Sequence, residues 1–136
     1  MIDRLLPLFA RGFLSAVFIR SGVAHCFNFA GTQQAITSKG LPAGLALVMA
    51  IGSILLLLGG GLSVLLGLKA RWGAIALIVF LVPATLMFHL NLAEQMEQIQ
   101  FFKNVSLIGG LLLLAQHGPG RYSFDNQELR RSYGKW

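Results

Sequence analysis

The stretch from Leu41 to Leu68 contains 28 consecutive residues without a charged side chain. About 20 apolar residues, each adding 1.5 Å of helix, cross the roughly 30 Å hydrocarbon core of a bilayer. A helix of this length in a soluble protein would need a polar face, and this stretch has none. The sequence therefore predicts a membrane-spanning helix, and lipid is the medium in which the rest of the chain has to fold.

The composition is that of a small integral membrane protein. Of the 136 residues, 55% are hydrophobic and only 12% are charged, and the mean hydropathy is +0.69. The net charge of +6 does not indicate nucleic-acid binding, because the basic residues are not clustered into a stripe that would follow a groove. Cys26 is the only cysteine, which excludes an intramolecular disulfide, and we expect it to be buried and unreactive.

Four apolar segments predict a single all-α domain over residues 1–136, an integral membrane four-helix bundle. The spans cover about residues 9–29, 41–68, 72–90 and 102–117. The turn between the second and third spans is so short that these two helices should form an antiparallel hairpin. Small residues let helix backbones approach closely in lipid, and we expect this role for Gly59, Gly60, Gly61, Gly67, Gly109 and Gly110.

The charges at the ends of the spans and between them orient this bundle. With four spans, both termini and the turn between the second and third spans share one side of the membrane. That side carries eight basic residues: Arg4, Arg11, Lys69, Arg71, Arg121, Arg130, Arg131 and Lys135. Cytoplasmic loops carry an excess of Lys and Arg, so we predict that both termini are cytoplasmic in a multi-pass protein of the plasma (inner) membrane. The tail from Asp125 to Lys135 is expected to be a solvated segment on the same side.

The opposite, outer end of the bundle collects polar residues from three spans. Arg20 lies inside the first span, where a lone arginine costs about 2.5–3.5 kcal/mol on insertion scales. It either snorkels to the outer surface or pairs with an acid or a ligand. Glu94 and Glu97 are the available acids, and they reach Arg20 only if the outer loop folds inward.

Two histidines and an amide accompany Arg20 at this end. His25 follows it in the first span, His89 ends the third span, and Asn104 begins the fourth. A histidine here can donate to a quinone carbonyl, relay a proton or make an ordinary interfacial hydrogen bond. No spaced ligand motif supports a metal site. The candidate ligand-binding residues are therefore Arg20, His25, His89 and Asn104, and the sequence contains no recognisable catalytic motif.

Several short strings occur in order along nearly the whole chain. They are Phe18-Ile19-Arg20-Ser21-Gly22 with His25, Ser38-Lys39-Gly40-Leu41-Pro42, Gly60-Gly61, Gly67-Leu68-Lys69-Ala70-Arg71, Phe88-His89, Phe102-Lys103-Asn104 with Gly109-Gly110, and Gly118-Pro119-Gly120-Arg121-Tyr122-Ser123-Phe124-Asp125. In this combination the chain resembles the DoxX family of small four-helix membrane proteins.

The resemblance implies a four-helix bundle with a loose link to membrane redox chemistry. The family takes its name from a subunit associated with quinol oxidase and thiosulfate:quinone oxidoreductase systems, and many members have no assigned activity. Members often carry a glutamate shortly before the Gly-Gly of the second helix. This chain has Leu55 to Leu58 there, so Arg20 lacks the acidic partner that the family pattern would supply.

Three functions stay open at this point. The first is an accessory subunit of a membrane redox assembly that contacts a quinone, the one candidate cofactor, through Arg20 or a histidine. The second is a structural or assembly subunit of a larger complex, and the third is an oligomeric carrier of small molecules. No electron-carrying group is identified, so we expect that the chain is not an enzyme on its own. The expected partners are membrane lipid and either other membrane subunits or further copies of this chain.

Overall fold

The structure is a computed structural model that describes residues 1–133. Lys135, one of the predicted cytoplasmic cations, lies outside the described residues. Residues 1–133 form no β-strand, and the all-α prediction is confirmed. The chain folds into α1 (Ile2–Phe27), α2 (Phe29–Thr37), α3 (Ala43–Leu66), α4 (Ala70–Phe88), α5 (Gln95–His117) and α6 (Phe124–Tyr133).

Three helices are long and apolar enough to cross a membrane. They are α3, α4 and α5, which correspond to the second, third and fourth predicted spans. Helix α1 carries four charged residues, Asp3, Arg4, Arg11 and Arg20, and its crossing of the membrane stays a prediction. The chain is therefore a multi-pass membrane protein.

Both ends of the first helix and the start of the last long helix differ from the predicted spans. The first helix begins at Ile2, seven residues before the predicted span. The first helix ends at Phe27 because Asn28 leaves the helical conformation (φ −122°, ψ 51°), and a second helix starts directly after it. Asparagine favours such breaks because its side chain competes for backbone hydrogen bonds. The last long helix begins at Gln95, seven residues earlier than predicted, because the Gln- and Glu-rich segment before Phe101 favours helix.

Residues from all four long helices share one hydrophobic core. Its buried members are Phe18, Leu57, Val64, Ala74, Leu77, Leu81, Leu111 and Leu114. Helix α3 contacts α1 and α4, and α4 contacts α5. A Cβ added at Gly60 would lie 2.7 Å from Leu77 Cγ, and one at Gly61 would lie 2.9 Å from Ile19 Cγ1. The predicted close approach is confirmed at these two glycines, whereas Gly59 and Gly109 adjoin open space and do not serve it.

The chain after α5 folds back onto the turn between α3 and α4, so the prediction of a solvated tail is wrong at its first residue, Asp125. The Asp125 carboxylate accepts hydrogen bonds from the backbone N–H groups of Lys69 (2.6 Å) and Ala70 (3.0 Å). It thereby caps the N-terminus of α4, where a negative charge is favoured. The backbone N–H of Asp125 donates in turn to the Gly67 carbonyl oxygen at 2.9 Å. Residues from Gln127 to Arg131 are exposed, as expected for a tail.

Arg11, one of the cations assigned to the cytoplasmic side, is buried beneath this returning segment. Its side chain is 1% exposed, and Nη2 donates to the Tyr122 carbonyl oxygen at 2.6 Å. Cys26 was expected to be buried and is exposed. It lies next to His25, and adjacent helical residues point about 100° apart, so Cys26 faces away from the bundle.

Candidate functional site

A cavity of about 590 Å³ lies among α1, α2, α3 and α4, at the end of the bundle where α1 stops. Most of its wall is apolar, and the larger lining side chains are Ile36, Met49, Leu56, Val79, Phe80, Pro83, Met87 and Phe88. Four polar side chains join this wall: His25, Asn28, Thr32 and Ser53. A mostly apolar pocket of this size with a few polar groups is the usual form of a small-molecule site.

His25 is held in place by two neighbours in the cavity wall. Its Nδ1 lies 3.2 Å from Ser53 Oγ, and its ring meets Phe80 edge-on with 6.5 Å between ring centroids. Ser53 Oγ donates its only proton to the Ala50 carbonyl oxygen at 2.8 Å. While Ser53 Oγ donates to Ala50, the hydroxyl can only accept from His25, and we assign the proton to Nδ1 on this basis.

This assignment leaves Nε2 of a neutral His25 with a lone pair. Within residues 1–133, His25 has no hydrogen-bond partner other than Ser53. The cavity wall therefore offers one imidazole acceptor to a bound molecule. If the imidazole were protonated, the same nitrogen would become a donor.

The wall contains a backbone acceptor as well. Pro83 lies inside α4 and has no N–H, so the carbonyl group of Val79, one turn earlier, loses its helical donor. Both residues line the cavity. A ligand with a hydroxyl group would thus meet two kinds of acceptor in an otherwise apolar wall.

The other three predicted site residues lie elsewhere. Asn104 is buried between α4 and α5, where its Nδ2 donates to Thr85 Oγ1 at 3.0 Å. His89 Nδ1 lies 2.9 Å from Glu97 Oε2 and joins the end of α4 to the start of α5. Of the four predicted residues, only His25 lines the cavity.

Arg20 lies on the exposed side of α1. It follows the buried Arg11 by nine residues, or about 2.5 helical turns, which puts the two side chains on opposite faces. Within residues 1–133, Arg20 has no carboxylate within 4.0 Å, since Glu97 pairs with His89. The arrangement fits the snorkelling alternative for Arg20 rather than pairing with a loop acid.

Sequence reasoning did not single out Ser53, Asn28 or Thr32. A signal was present for Ser53, because it is one of only two hydroxyl side chains in the charge-free stretch 41–68. A polar side chain in lipid is costly without a hydrogen-bond partner, and the partner of Ser53 is His25. Asn28 and Thr32 enter the wall only because the chain breaks between α1 and α2. Across residues 1–133, no three His, Cys, Asp or Glu side chains come close enough to hold a metal ion.

Three apolar membrane helices and an apolar cavity at one end define an integral membrane protein with an internal cavity. The DoxX family model matches residues 6–90, which include every residue that lines the cavity, and the chain belongs to the DoxX family. The SURF4 family model matches residues 63–132.

Two proteins of Escherichia coli (strain K12) are similar over most of their length. Inner membrane protein YqjF is 40% identical over 118 residues, which cover 87% of this chain and 88% of YqjF. Inner membrane protein YphA is 31% identical over 127 residues, which cover 90% of this chain and 89% of YphA. No solved structure matches the chain. Together with the three apolar spans, these relatives place the chain in the inner membrane as a multi-pass protein.

Proposed function

We propose that this protein is an accessory subunit of a membrane redox assembly and that it holds a quinone-type molecule in the cavity among α1–α4. The observation that carries the proposal is His25, a hydrogen-bonding side chain with an unused ring nitrogen in the wall of an apolar cavity of about 590 Å³. The resemblance to a family linked to quinol oxidase systems supports the redox context.

The residues present fit such a molecule. A quinol carries hydroxyl groups on a ring and an apolar tail, so it needs acceptors at one point and an apolar wall elsewhere. Nε2 of His25 supplies an acceptor, while Phe80 and Phe88 supply aromatic faces and Met49 and Met87 adaptable apolar surface. A bound quinone would supply the electron-transfer chemistry that the side chains of this chain lack.

The proposal includes the arrangement in the membrane. We infer that α1 is a fourth span, because its buried residues Phe18 and Gly22 pack along α3 as closely as those of α4 do. The bundle is then α1, α3, α4 and α5, with both termini cytoplasmic as the distribution of basic residues favours. In this orientation the cavity lies toward the outer leaflet, and the segment that encloses Arg11 lies at the cytoplasmic end.

Two glycines of α3 provide a matched test. Gly52 and Gly59 are seven residues apart, about two turns, and a Cβ at either position would meet open space. Gly52 lines the cavity and Gly59 does not. Gly52→Leu should fill the cavity and Gly59→Leu should only add an apolar side chain beside it. Each variant and the native chain are purified from native membranes in mild detergent, and bound lipids and proteins are identified by mass spectrometry.

The expected result is a quinone and an oxidoreductase subunit with the native chain and with Gly59→Leu, and loss of the quinone alone with Gly52→Leu. Equal quinone retention by the two variants would show that the cavity is not its site. Recovery of a larger complex without quinone from the native chain would favour the structural subunit instead. Recovery of the native chain alone, with solute flux in liposomes, would favour the carrier.

A further inference from the structure

A second cavity, of about 790 Å³, lies at the other end of α4, between the turn before α4, the end of α5 and α6. Its wall includes Lys69, Arg71, His117 and Arg121, and we call it the basic cleft after these four residues. Arg71 precedes Pro83 by 12 residues on α4, so the basic cleft and the His25 cavity are about 18 Å apart along the helix. We propose that the basic cleft binds the phosphate group of an acidic phospholipid from the surrounding bilayer.

The charges in the cleft are not balanced by the protein itself. Two acids, Asp125 and Glu128, also line it. The Asp125 carboxylate is already used by the backbone N–H groups that begin α4. Within residues 1–133, the one pair of basic and acidic side chains within 4.0 Å is His89 and Glu97, far from the cleft in the chain. Three cations, Lys69, Arg71 and Arg121, against two acids leave the cleft with a net positive charge that favours an anionic ligand.

The Arg71 side chain lies beside the loop that closes the cleft. Gly118 has a positive φ of 81°, and a Cβ there would lie 3.3 Å from both Nε and Nη2 of Arg71. The guanidinium thus rests against the backbone of the loop that closes the cleft. A planar guanidinium matches two phosphate oxygens at once, and one that is already placed loses little side-chain freedom on binding.

The neighbourhood of the cleft favours a lipid as the source of this phosphate. Trp72 lines the cleft, is 72% exposed and stands in the first turn of α4, a membrane-crossing helix. Tryptophan at a helix end is typical of the headgroup level of a bilayer. Basic pockets at this level between membrane helices bind anionic headgroups, whose acyl chains then follow the apolar helix surfaces. Ile75, one turn further along α4, is exposed and apolar.

Trp72 also reports on the site. The sequence has two tryptophans, so Trp136→Phe leaves Trp72 as the sole indole fluorophore. The full chain with this change is reconstituted into phosphatidylcholine vesicles that contain increasing fractions of brominated phosphatidylglycerol or brominated phosphatidylcholine. Bromine quenches tryptophan on contact. We expect phosphatidylglycerol to quench Trp72 at a lower fraction than phosphatidylcholine does.

Arg71→Gln should raise the phosphatidylglycerol fraction needed for half-maximal quenching about fivefold, the contribution of one cation near a membrane surface. Arg121→Gln, a change at an exposed loop residue that leaves the packing of α4 intact, should raise it similarly. Arg130→Gln is the matched control, because Arg130 is an exposed cation of α6 that does not line the cleft. Its effect should stay below about twofold.

Three outcomes would overturn the proposal. Equal quenching by the two brominated lipids would show no selection for the acidic headgroup. An Arg130→Gln effect as large as that of Arg71→Gln would show attraction by overall charge rather than a site. Displacement of phosphatidylglycerol by inorganic phosphate at constant ionic strength would identify a soluble phosphate as the ligand instead of a lipid.

Discussion

The buried residues of α1 form a stripe along the helix that has a polar residue at each end. The two ends of the bundle differ in what surrounds that polar residue. Arg11, Ser15, Phe18 and Gly22 are buried at intervals of four, three and four residues, and His25 continues the stripe three residues later. The C-terminal segment encloses Arg11, whereas His25 has a single partner, Ser53, and borders a cavity. One end is covered by the chain itself, although Nε and Nη1 of the buried Arg11 have no hydrogen-bond partner within residues 1–133. The other end leaves room for a molecule that is not part of the chain.

The difference between the two ends indicates which end of the bundle leaves a polar side chain in need of a ligand. A polar side chain in an apolar surrounding is stable only with partners. At the Arg11 end those partners are one backbone carbonyl, that of Tyr122, and the charge of Asp125, which arrive from more than 100 residues away in the sequence. At the His25 end the chain supplies only one hydroxyl group. Substitutions at the closed end should therefore act on stability, and those at the open end on ligand binding.

The largest effect is expected from Gly67→Ala at the closed end. Gly67 has a φ of 68°, and a side chain in this left-handed region costs about 1–2 kcal/mol. Its Cβ would also overlap Arg11 Nη1 and Ser123 Cβ, and overpacking of this kind costs about 1–3 kcal/mol more. Thermal unfolding in detergent, followed by circular dichroism, should show a loss of about 2–5 kcal/mol.

Gly59→Ala is the control for this substitution. It lies in the same helix with open space around it, and replacing a mid-helix glycine by alanine stabilises by about 0.5–1 kcal/mol. If the two variants unfolded at the same temperature, the enclosure of Arg11 against Gly67 would be contradicted.

Asp125→Asn should have an intermediate effect, about 1–2 kcal/mol of lost stability. The change keeps the shape of the side chain but removes the charge that caps α4 and that stabilises the buried Arg11 cation. Glu128→Gln, three residues later on the exposed part of α6, should change stability by less than about 0.5 kcal/mol.

A double-mutant cycle separates the two contributions of Asp125. In an Arg11→Met background the charge interaction is gone, so Asp125→Asn should cost less than it does in the native chain. An unchanged cost would mean that Asp125 acts only as a helix cap. The unfolding measurement is the same as for Gly67→Ala.

The apolar spans α3, α4 and α5 could be predicted from the sequence because lipid imposes a strong local rule. A segment without charge over about 20 residues has few alternatives to a membrane helix. The approximate ends of these helices followed from the same rule, and the deviation at Gln95 arose because helix propensity extends past the apolar segment.

The inward face of α1 could not be predicted with the rule for soluble proteins, in which the apolar face of a helix points inward. Large apolar side chains such as Phe9, Phe13 and Phe27 point outward, while Arg11, Ser15 and Gly22 point inward. In a membrane the outer surface is apolar as well, so small and polar residues mark the packed side. The regular spacing of Arg11, Ser15, Gly22 and His25 contained this information.

The partners of Arg11 and the cavity itself were beyond local reasoning. The cap on α4 joins Lys69 to Asp125 across 56 positions of sequence, and no local pattern specifies such a contact. The cavity exists because α1 stops at Phe27 and α2 turns away at Asn28. A shift of one helical turn in that break would have given His25 different neighbours. The sequence favoured Arg20 over His25 as a candidate because Arg20 carries a charge inside the first span.

The smallest expected change in free energy comes from the test that distinguishes His25 from Arg20, the two candidate ligand-binding residues of α1. His25→Phe keeps a ring beside Phe80 but removes the acceptor, so the affinity for a short-chain quinol should fall about 2- to 10-fold, the range expected for one hydrogen bond. Arg20→Met should leave that affinity unchanged, because Arg20 lies outside the cavity wall. Both are measured by calorimetric titration of the purified protein in detergent. Should Arg20→Met weaken binding and His25→Phe leave it intact, the ligand would contact the outer face of α1, and the cavity would be a packing defect rather than a site.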